Sequence, residues 1–132
     1  MHSGEFARAR RILKADEFSS AFRLRPVFRS THFVLYARIN ALNHARLGVV
    51  AAKRLAPRAV TRNTIKRMTR ELFRTAQLPS IDCIVRLSKP VNSKKGPATN
   101  KLLKDTLRTE LLQLLDSQLA MLPALHDSGK LV

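Results

Sequence analysis

The residues best placed to do chemistry are a row of cations at helical spacing. Arginine or lysine recurs at every fourth position between residues 58 and 74 (Arg58, Arg62, Lys66, Arg70 and Arg74). Asn63 and Arg67 lie close beside this row. Because a helix turns by about 100° per residue, the row drifts by about 40° per step and forms one cationic arc. Arginine presents a planar fork that matches phosphate oxygens, and the amide of Asn63 suits base edges or 2′-hydroxyl groups. The spacing therefore predicts a helix that binds nucleic acid.

The opposite side of this helix is apolar. Ile65, Met68 and Leu72 fall together there, with Val60 and Thr64 at its border. Such a distribution predicts a helix that packs on the protein core and keeps its cations outside. Like charges four positions apart repel each other, so the row favours an anionic ligand over a role in stability alone. A solvated amphipathic helix and a helix that binds acidic lipid are the alternatives.

No constellation in the sequence predicts a catalytic residue or a metal site. A nuclease acting alone needs clustered carboxylates or a general base, and the 9 Asp and Glu residues are scattered. The single Cys83 can form no disulfide within the chain, and in a predicted strand we expect it to be a small buried hydrophobe. The histidines show no ligand spacing (His2, His32, His44 and His126). We therefore predict a binding protein whose partner performs the chemistry.

The charge of the whole chain agrees with a polyanionic partner. The 132 residues carry a formal net charge of +16, from 25 Lys and Arg against 9 Asp and Glu. Residues 1–95 hold 21 of the 25 cations and only 5 of the acids, so the excess lies entirely in that part. The length predicts one RNA-binding domain over residues 1–132, with an extended basic segment at 1–13 and a frayed tail at 124–132. No segment resembles a secretory signal or a membrane span, so we expect the cytoplasm.

The elements that must position the basic helix follow from local patterns. We predict helices over residues 16–24, 58–76 and 100–122, and strands over residues 33–39, 46–53 and 82–87. Asp16 caps the first helix, and the third carries an apolar stripe (Leu103, Leu107, Leu111, Leu114 and Met121). The order α-β-β-α-β-α predicts an α+β, two-layer α/β sandwich.

The strands carry two further expectations. A short loop joins the first two strands, which favours an antiparallel pair. In the first strand, alternation directs one set of side chains to the core (Phe33, Leu35, Ala37 and Ile39). Val34, Tyr36 and Arg38 point the other way, and we expect them on a partly open face where Tyr36 can stack on a base.

A family resemblance appears at these residues. Residues 62–74 (RNTIKRMTRELFR), following residues 47–54 (LGVVAAKR), resemble the signature of the bacterial ribonuclease P protein subunit. The resemblance covers about residues 6–90, and its long basic motif is its most specific part. One departure is Thr64, which stands where the family's Arg-Asn-Arg triplet has its third residue.

The resemblance implies a fold and a function. The fold would be a mixed sheet of the ribosomal protein S5 domain 2-like type with helices packed on it, including a left-handed crossover between parallel strands. The protein would bind a catalytic RNA and the 5′ leader of precursor tRNA and promote removal of the leader. The RNA would hold the Mg²⁺ ions and perform the hydrolysis. Neither a membrane nor an obligate protein partner is expected.

The resemblance and the charge pattern together predict two sets of site residues. The first set would bind the RNA subunit (Lys53, Arg54, Arg58, Arg62, Asn63, Lys66, Arg67, Arg70 and Arg74). The second set would form the leader-binding cleft (Arg11, Lys14, Phe18, Phe22, Val34 and Tyr36). The main alternative is a ribosomal-protein-like or RNA-chaperone protein without associated cleavage. A helix-turn-helix DNA binder is less favoured, because the basic helix lies between strands.

Overall fold

A computed structural model of the chain describes residue 11 and residues 26–42, 44–76, 78, 80–92 and 100–120. The elements in chain order are four strands and two helices: β1 (Phe28–Arg29), β2 (Phe33–Ile39), β3 (Arg46–Val50), α1 (Ala59–Thr75), β4 (Ile81–Leu87) and α2 (Lys101–Ala120). They agree with the predicted α+β class. The predicted helix over residues 16–24 and the tail at 124–132 lie outside the described residues, as does the segment at 1–13 apart from Arg11.

The four strands form one mixed sheet in the order β1-β2-β4-β3. Strand β2 runs antiparallel to β4, and β3 runs parallel to β4, so helix α1 is the crossover between two parallel neighbours. The predicted antiparallel pairing of β2 with β3 is wrong because β4 lies between them. Strand β4 lies inside the sheet, with both of its edges paired. It is therefore buried along nearly its whole length.

Strand β3 is shorter than predicted, because the chain turns immediately after it. The backbone N–H groups of Leu55 and Ala56 both donate to the carbonyl of Ala52 at 3.0 Å, which closes a turn before the helix. Strand β1 has only two residues and pairs with β2. No apolar alternation long enough to predict β1 is present in the sequence.

One face of the sheet carries the main core. The side chains predicted to point inward from β2 lie on this face, and Ile39 at the strand end is the exposed member. They pack with the alternate residues of β4 and with Ile65, Met68 and Phe73 of α1. Helix α2 adds four buried leucines (Leu107, Leu111, Leu114 and Leu115). Both helices therefore cover the same face, which makes the two layers of the sandwich.

Helix α2 begins where a side chain caps it. Asn100 Oδ1 accepts a hydrogen bond from the backbone N–H of Leu103 at 2.8 Å, which satisfies one amide of the first turn. Leu103 is half-buried beside the core, while Leu102 lies off the stripe and is exposed. Met121, predicted on the same stripe, lies outside the described residues.

A buried carboxylate joins α2 to the start of β2. Glu110 Oε1 accepts hydrogen bonds from Ser30 Oγ and from the backbone N–H of His32, each at 2.7 Å. The Nδ1 atom of His32 lies against Glu110 Oε2. Burial raises the pKa of Glu110, but the hydrogen bonds from His32 and Ser30 together outweigh it and hold the pKa below its ordinary value. This cluster fixes the second helix against the β1–β2 hairpin.

Candidate nucleic-acid interface

Helix α1 is oriented by a row of buried side chains that includes two threonines (Thr61, Ile65, Met68, Thr69 and Phe73). Thr69 can be buried because its hydroxyl donates to the carbonyl of Ile65 at 2.7 Å. Thr61 is buried with its hydroxyl accepting a 2.8 Å hydrogen bond from Asn92 Nδ2. Leu72, predicted on the apolar side, is half-buried against the core.

Val60 does not lie at the border of the apolar side as predicted. Its side chain is 57% exposed, near the exposed Arg58 and Asn63 in the first turns of the helix. The buried side of the helix is rotated toward Thr69 and Phe73, which carries Val60 into solvent. The exposed surface at the start of α1 is therefore mixed, with cationic, amide and aliphatic groups together.

The cations of the arc differ in exposure. Arg58, Arg67 and Arg74 are exposed, as are Lys53 and Arg54 of the preceding turn. Arg62, Lys66 and Arg70 are half-buried. Arg58 precedes the first helical residue and is exposed. From Arg62 the row drifts by about 40° per step away from the buried side of the helix, so that Arg74 at its end lies in solvent. We define the basic surface as the cations of residues 53–74 together with Asn63. These are the residues predicted to bind the RNA subunit, and none of them is buried.

Arg62 has a structural role within the basic surface. Its Nη1 atom donates to the carbonyl of Ala56 at 3.0 Å and to that of Pro57 at 3.1 Å. These bonds hold the turn before α1 against the first turn of the helix. Because both bonds use Nη1, the other edge of the guanidinium can still donate to a phosphate. Sequence spacing gave no indication of this second role.

The N-terminal segment meets the basic surface at Arg11. The backbone of Arg11 forms a parallel bridge with Leu47, on the edge of β3 that faces away from β4. Burial, and then the positive charge of Arg11, lower the pKa of Arg70. An arginine keeps its proton at neutral pH, so the effect of this approach is repulsion between two cations. A bound anion would relieve this repulsion.

On the sheet face away from α1 and α2, the side chains form three rows across β2, β4 and β3, which follow from the pairing register. The first row is Arg38, Asp82 and Arg46; the second is Tyr36, Ile84 and Gly48; the third is Val34, Arg86 and Val50. We call this surface the second face.

Two predicted cleft residues are less accessible than expected. Val34 and Tyr36 are buried with Ile84 in a small cluster, and Tyr36 is only 6% exposed. The expected open face, with the Tyr36 ring available to stack on a base, is therefore wrong for these two side chains. The phenol oxygen of Tyr36 instead accepts a 2.9 Å hydrogen bond from Arg86 Nη2, and the guanidinium carbon lies 5.6 Å from the ring centroid.

A buried aspartate organises the first row. Asp82 accepts hydrogen bonds from Asn40 Nδ2 at 2.8 Å and from Arg46 Nε and Nη2 at 2.9 Å each, and Arg38 Nε lies 3.5 Å from it. Burial raises the pKa of Asp82, but the hydrogen bonds from Arg46 and Asn40, with the charges of Arg46 and Arg38, hold the pKa below its ordinary value. Sequence reasoning missed this cluster because its members meet only through the β2–β4–β3 register.

The remaining predicted cleft residues are Lys14, Phe18 and Phe22, and all three lie outside the described residues. Within the described ranges, no group of three His, Cys, Asp or Glu side chains could hold a metal ion. Cys83 is buried, and burial followed by the charge of Asp82 raises the pKa of its thiol, as expected of an unreactive core residue. No described helix is both long enough and apolar enough to span a membrane.

Comparison with known proteins points to one family. Residues 6–112 match the family model described as Ribonuclease P. The chain is 50% identical over 113 residues to the ribonuclease P protein component of Ralstonia pickettii, covering 84% of this chain and 80% of that protein. It is 46% identical over 114 residues to the namesake protein of Paraburkholderia xenovorans, covering 84% and 81%.

Solved structures show the same likeness. The RNase P protein of Staphylococcus aureus superposes with a TM-score of 0.63 at 28% identity, covering 86% of this chain and 95% of that one. The RNase P protein of Thermotoga maritima shares the fold, with a TM-score of 0.57 at 24% identity over 85% of this chain and 94% of that one.

Proposed function

Because this chain belongs to the ribonuclease P protein family and is a protein component of that tRNA-processing endoribonuclease, we propose that its basic surface docks on the RNA subunit and that the RNA subunit performs the hydrolysis. The family match covers residues 6–112, which include the whole basic surface and the sheet. This match favours the ribonuclease P function over an RNA-binding protein without associated cleavage. The observation that carries the docking proposal is the arc of cations that α1 presents away from its buried seam.

The chemistry of the basic surface suits a structured RNA. Guanidinium forks form paired hydrogen bonds with phosphate oxygens, and several of them on one rigid helix hold the protein in one orientation. Asn63 is exposed within the arc and can exchange hydrogen bonds with a base edge or a 2′-hydroxyl group. Thr64, at the position of the family's second arginine, is half-buried and donates its hydroxyl to the carbonyl of Val60 at 2.8 Å. Thr64 therefore supplies a bond within the helix and not a further cation.

The substrate would be precursor tRNA, whose single-stranded 5′ leader meets the second face and the N-terminal segment. The cleft set of Arg11, Lys14, Phe18, Phe22, Val34 and Tyr36 is our proposal for this contact. Because Val34 and Tyr36 are buried, we propose that they form the floor beneath the leader and do not stack on its bases. Arg11 lies at the outer edge of β3, where its charge acts on Arg70 of the basic surface.

The acids of the described residues support this division of labour between protein and RNA. Asp82 and Glu110 are buried. Asp82 accepts hydrogen bonds from Arg46 and Asn40, and Glu110 accepts hydrogen bonds from Ser30 and His32. Among the residues that the structure describes, neither belongs to a group of three His, Cys, Asp or Glu side chains that could hold a metal ion. Mg²⁺ bound by the RNA subunit would supply activation of the attacking water. The protein would bind and orient the RNA and the substrate, and we place this work in the cytoplasm.

The docking proposal is tested by binding to a bacterial ribonuclease P RNA over a series of salt concentrations. Arg67→Ala removes an exposed cation from the basic surface, and Arg108→Ala removes an exposed cation from α2 as the matched control. We expect Arg67→Ala to weaken binding and to reduce the salt slope by about 1, because one phosphate contact is lost. Arg108→Ala should change neither. Equal losses in the two variants would mean that net charge alone attracts the RNA, and the docking proposal would be wrong.

A further inference from the structure

Glu71 is an acid in the middle of the basic surface. It is the one Asp or Glu between residues 53 and 74, and its side chain is exposed. Arg67 lies one turn before it and Arg74 one turn after it, yet its carboxylate forms no ion pair with any residue that the structure describes. An exposed acid at this place repels the phosphates of a docked RNA. Phosphate binding therefore does not explain Glu71.

Glu71 belongs to a side of α1 that carries no cation. At about 100° per residue, Val60, Thr64 and Glu71 fall within about 40° of one another around the helix axis. Arg70 lies about 100° from Glu71, and Lys66 lies about 140° from it. We call Val60, Thr64 and Glu71 the outer flank. The exposed part of α1 thus has a cationic side, which suits phosphates, and an outer flank, which does not.

Thr64 keeps the outer flank free of positive charge. It stands where the family motif has an arginine, and its hydroxyl donates to the carbonyl of Val60 at 2.8 Å, within the helix. Val60 is exposed beside it and offers only aliphatic carbon. Nucleotide bases suit such a flank, because their faces are apolar and their edges carry N–H groups that a carboxylate can accept.

We propose that Glu71 accepts hydrogen bonds from an unpaired guanine of the RNA subunit and is a specificity-determining residue of the docked complex. The inference rests on the proposed docking of the basic surface. A carboxylate has two acceptor oxygens, and guanine presents its N1–H and N2–H groups side by side, so two parallel hydrogen bonds form. The guanine is unpaired because a Watson–Crick partner would use the same edge. The cations attract any RNA, whereas this contact selects one.

The test compares two RNAs that bind the full chain, a bacterial ribonuclease P RNA and a bacterial 5S ribosomal RNA. Affinity is measured for both at one salt concentration, and the ratio of the two affinities reports specificity. The variants are Glu71→Ala and Glu71→Gln. Asp116→Ala is the matched control, because it removes one exposed carboxylate from α2.

Glu71→Ala should change the two affinities in different ways. Binding to 5S ribosomal RNA should stay the same or become tighter, because one repulsive charge is gone. Binding to the ribonuclease P RNA should weaken about tenfold, as expected for a lost charge-assisted hydrogen bond. Glu71→Gln keeps one acceptor oxygen, so it should lower the ratio by less. Asp116→Ala should leave the ratio unchanged.

A chemical footprint gives a second readout that does not depend on affinity. Kethoxal reacts with N1 and N2 of unpaired guanines, which are the atoms that Glu71 would engage. The wild-type protein and Asp116→Ala should protect a guanine of the ribonuclease P RNA that Glu71→Ala leaves reactive. Identical patterns of guanine protection with the wild-type protein and with Glu71→Ala, at saturating protein, would overturn the inference.

Tighter binding of Glu71→Ala to both RNAs would also overturn it, because Glu71 would then only repel phosphates. An unchanged ratio with a lowered Tm would do the same and would assign Glu71 to helix stability. Alanine is the best helix former, and if Glu71→Ala nevertheless fails to fold, Glu71→Gln is judged by the same ratio and footprint. Failure of the docking proposal is distinguishable, because the wild-type protein would then bind the two RNAs equally well.

Discussion

Removal of the Asp82 carboxylate should destabilise the protein strongly. Asp82 is 3% exposed and receives three hydrogen bonds of 2.8 to 2.9 Å, two from Arg46 and one from Asn40. Asp82→Ala leaves the Arg46 guanidinium and the Asn40 amide without this acceptor at the edge of the core. Breaking a buried ion pair from one side costs about 3 to 5 kcal/mol.

The lower end of that range applies to Asp82, because solvent reaches its partners. The side chains of Arg46 and Arg38 are 16% and 32% exposed, so water replaces part of the lost interaction. We therefore expect the free energy of unfolding to fall by about 3 kcal/mol. For a chain of this size that corresponds to a drop in Tm of about 10 °C.

The assay is urea unfolding followed by circular dichroism, with Asp105→Asn as a control. Asp105 pairs with Lys101 at 2.8 Å on the exposed surface of α2, so its loss should leave the free energy of unfolding nearly unchanged. An Asp82→Ala cost as small as that of the control would refute the view that Asp82 holds β2, β4 and β3 together.

The pH dependence of stability gives an independent reading of Asp82. Its folded-state pKa lies below the ordinary value, so between the two values the unfolded chain binds the extra proton. The stabilisation is present above the ordinary carboxyl pKa near 4 and is lost as the pH falls through the lower folded-state value. Asp82→Asn should make this acid limb shallower. An unchanged acid limb would contradict the cause assigned to the shift.

Three further predictions concern the basic surface, the α2 cluster and the core thiol. Arg62→Ala should lower both Tm and RNA affinity, because it also loses the carbonyls of Ala56 and Pro57, whereas Arg67→Ala should lower only affinity; equal Tm values would argue against the structural role of Arg62. Glu110→Ala should lower the free energy of unfolding by about 2 kcal/mol through loss of the Ser30 and His32 bonds, measured by urea unfolding, and a neutral result would contradict it. Cys83 should react with a thiol reagent only in denaturant, and rapid modification of the native protein would show that the thiol is accessible.

Periodicity predicted α1 and α2 because it depends on one segment at a time. The 3.6-residue pattern placed the basic helix within one residue of its observed ends, at Ala59 and Thr75. It did not predict that Thr69 and Phe73 would be buried between the cations. The burial of Thr69 depends on its hydroxyl bond to the Ile65 carbonyl, which no hydropathy pattern discloses.

Strand pairing was harder to predict because it depends on contacts between distant segments. A short loop implied that β2 and β3 run in opposite directions, which they do, but not that β4 would separate them. The Tyr36–Arg86 contact, the Asp82 cluster and the Ser30–Glu110 bond all span 36 residues or more of sequence. The cationic part of the candidate site was therefore predictable from one helix, whereas the second face required the register of three strands.

The central claim is that this chain assists an RNA catalyst in removing the leader of precursor tRNA. The direct measurement is the rate of cleavage of precursor tRNA at low Mg²⁺ by a bacterial ribonuclease P RNA alone, by this chain alone, and by the two together. We expect a faster rate for the reconstituted complex than for the RNA alone, and no cleavage by the chain alone. A complex no faster than the RNA, or Mg²⁺-dependent cleavage by RNA-free protein, would contradict it.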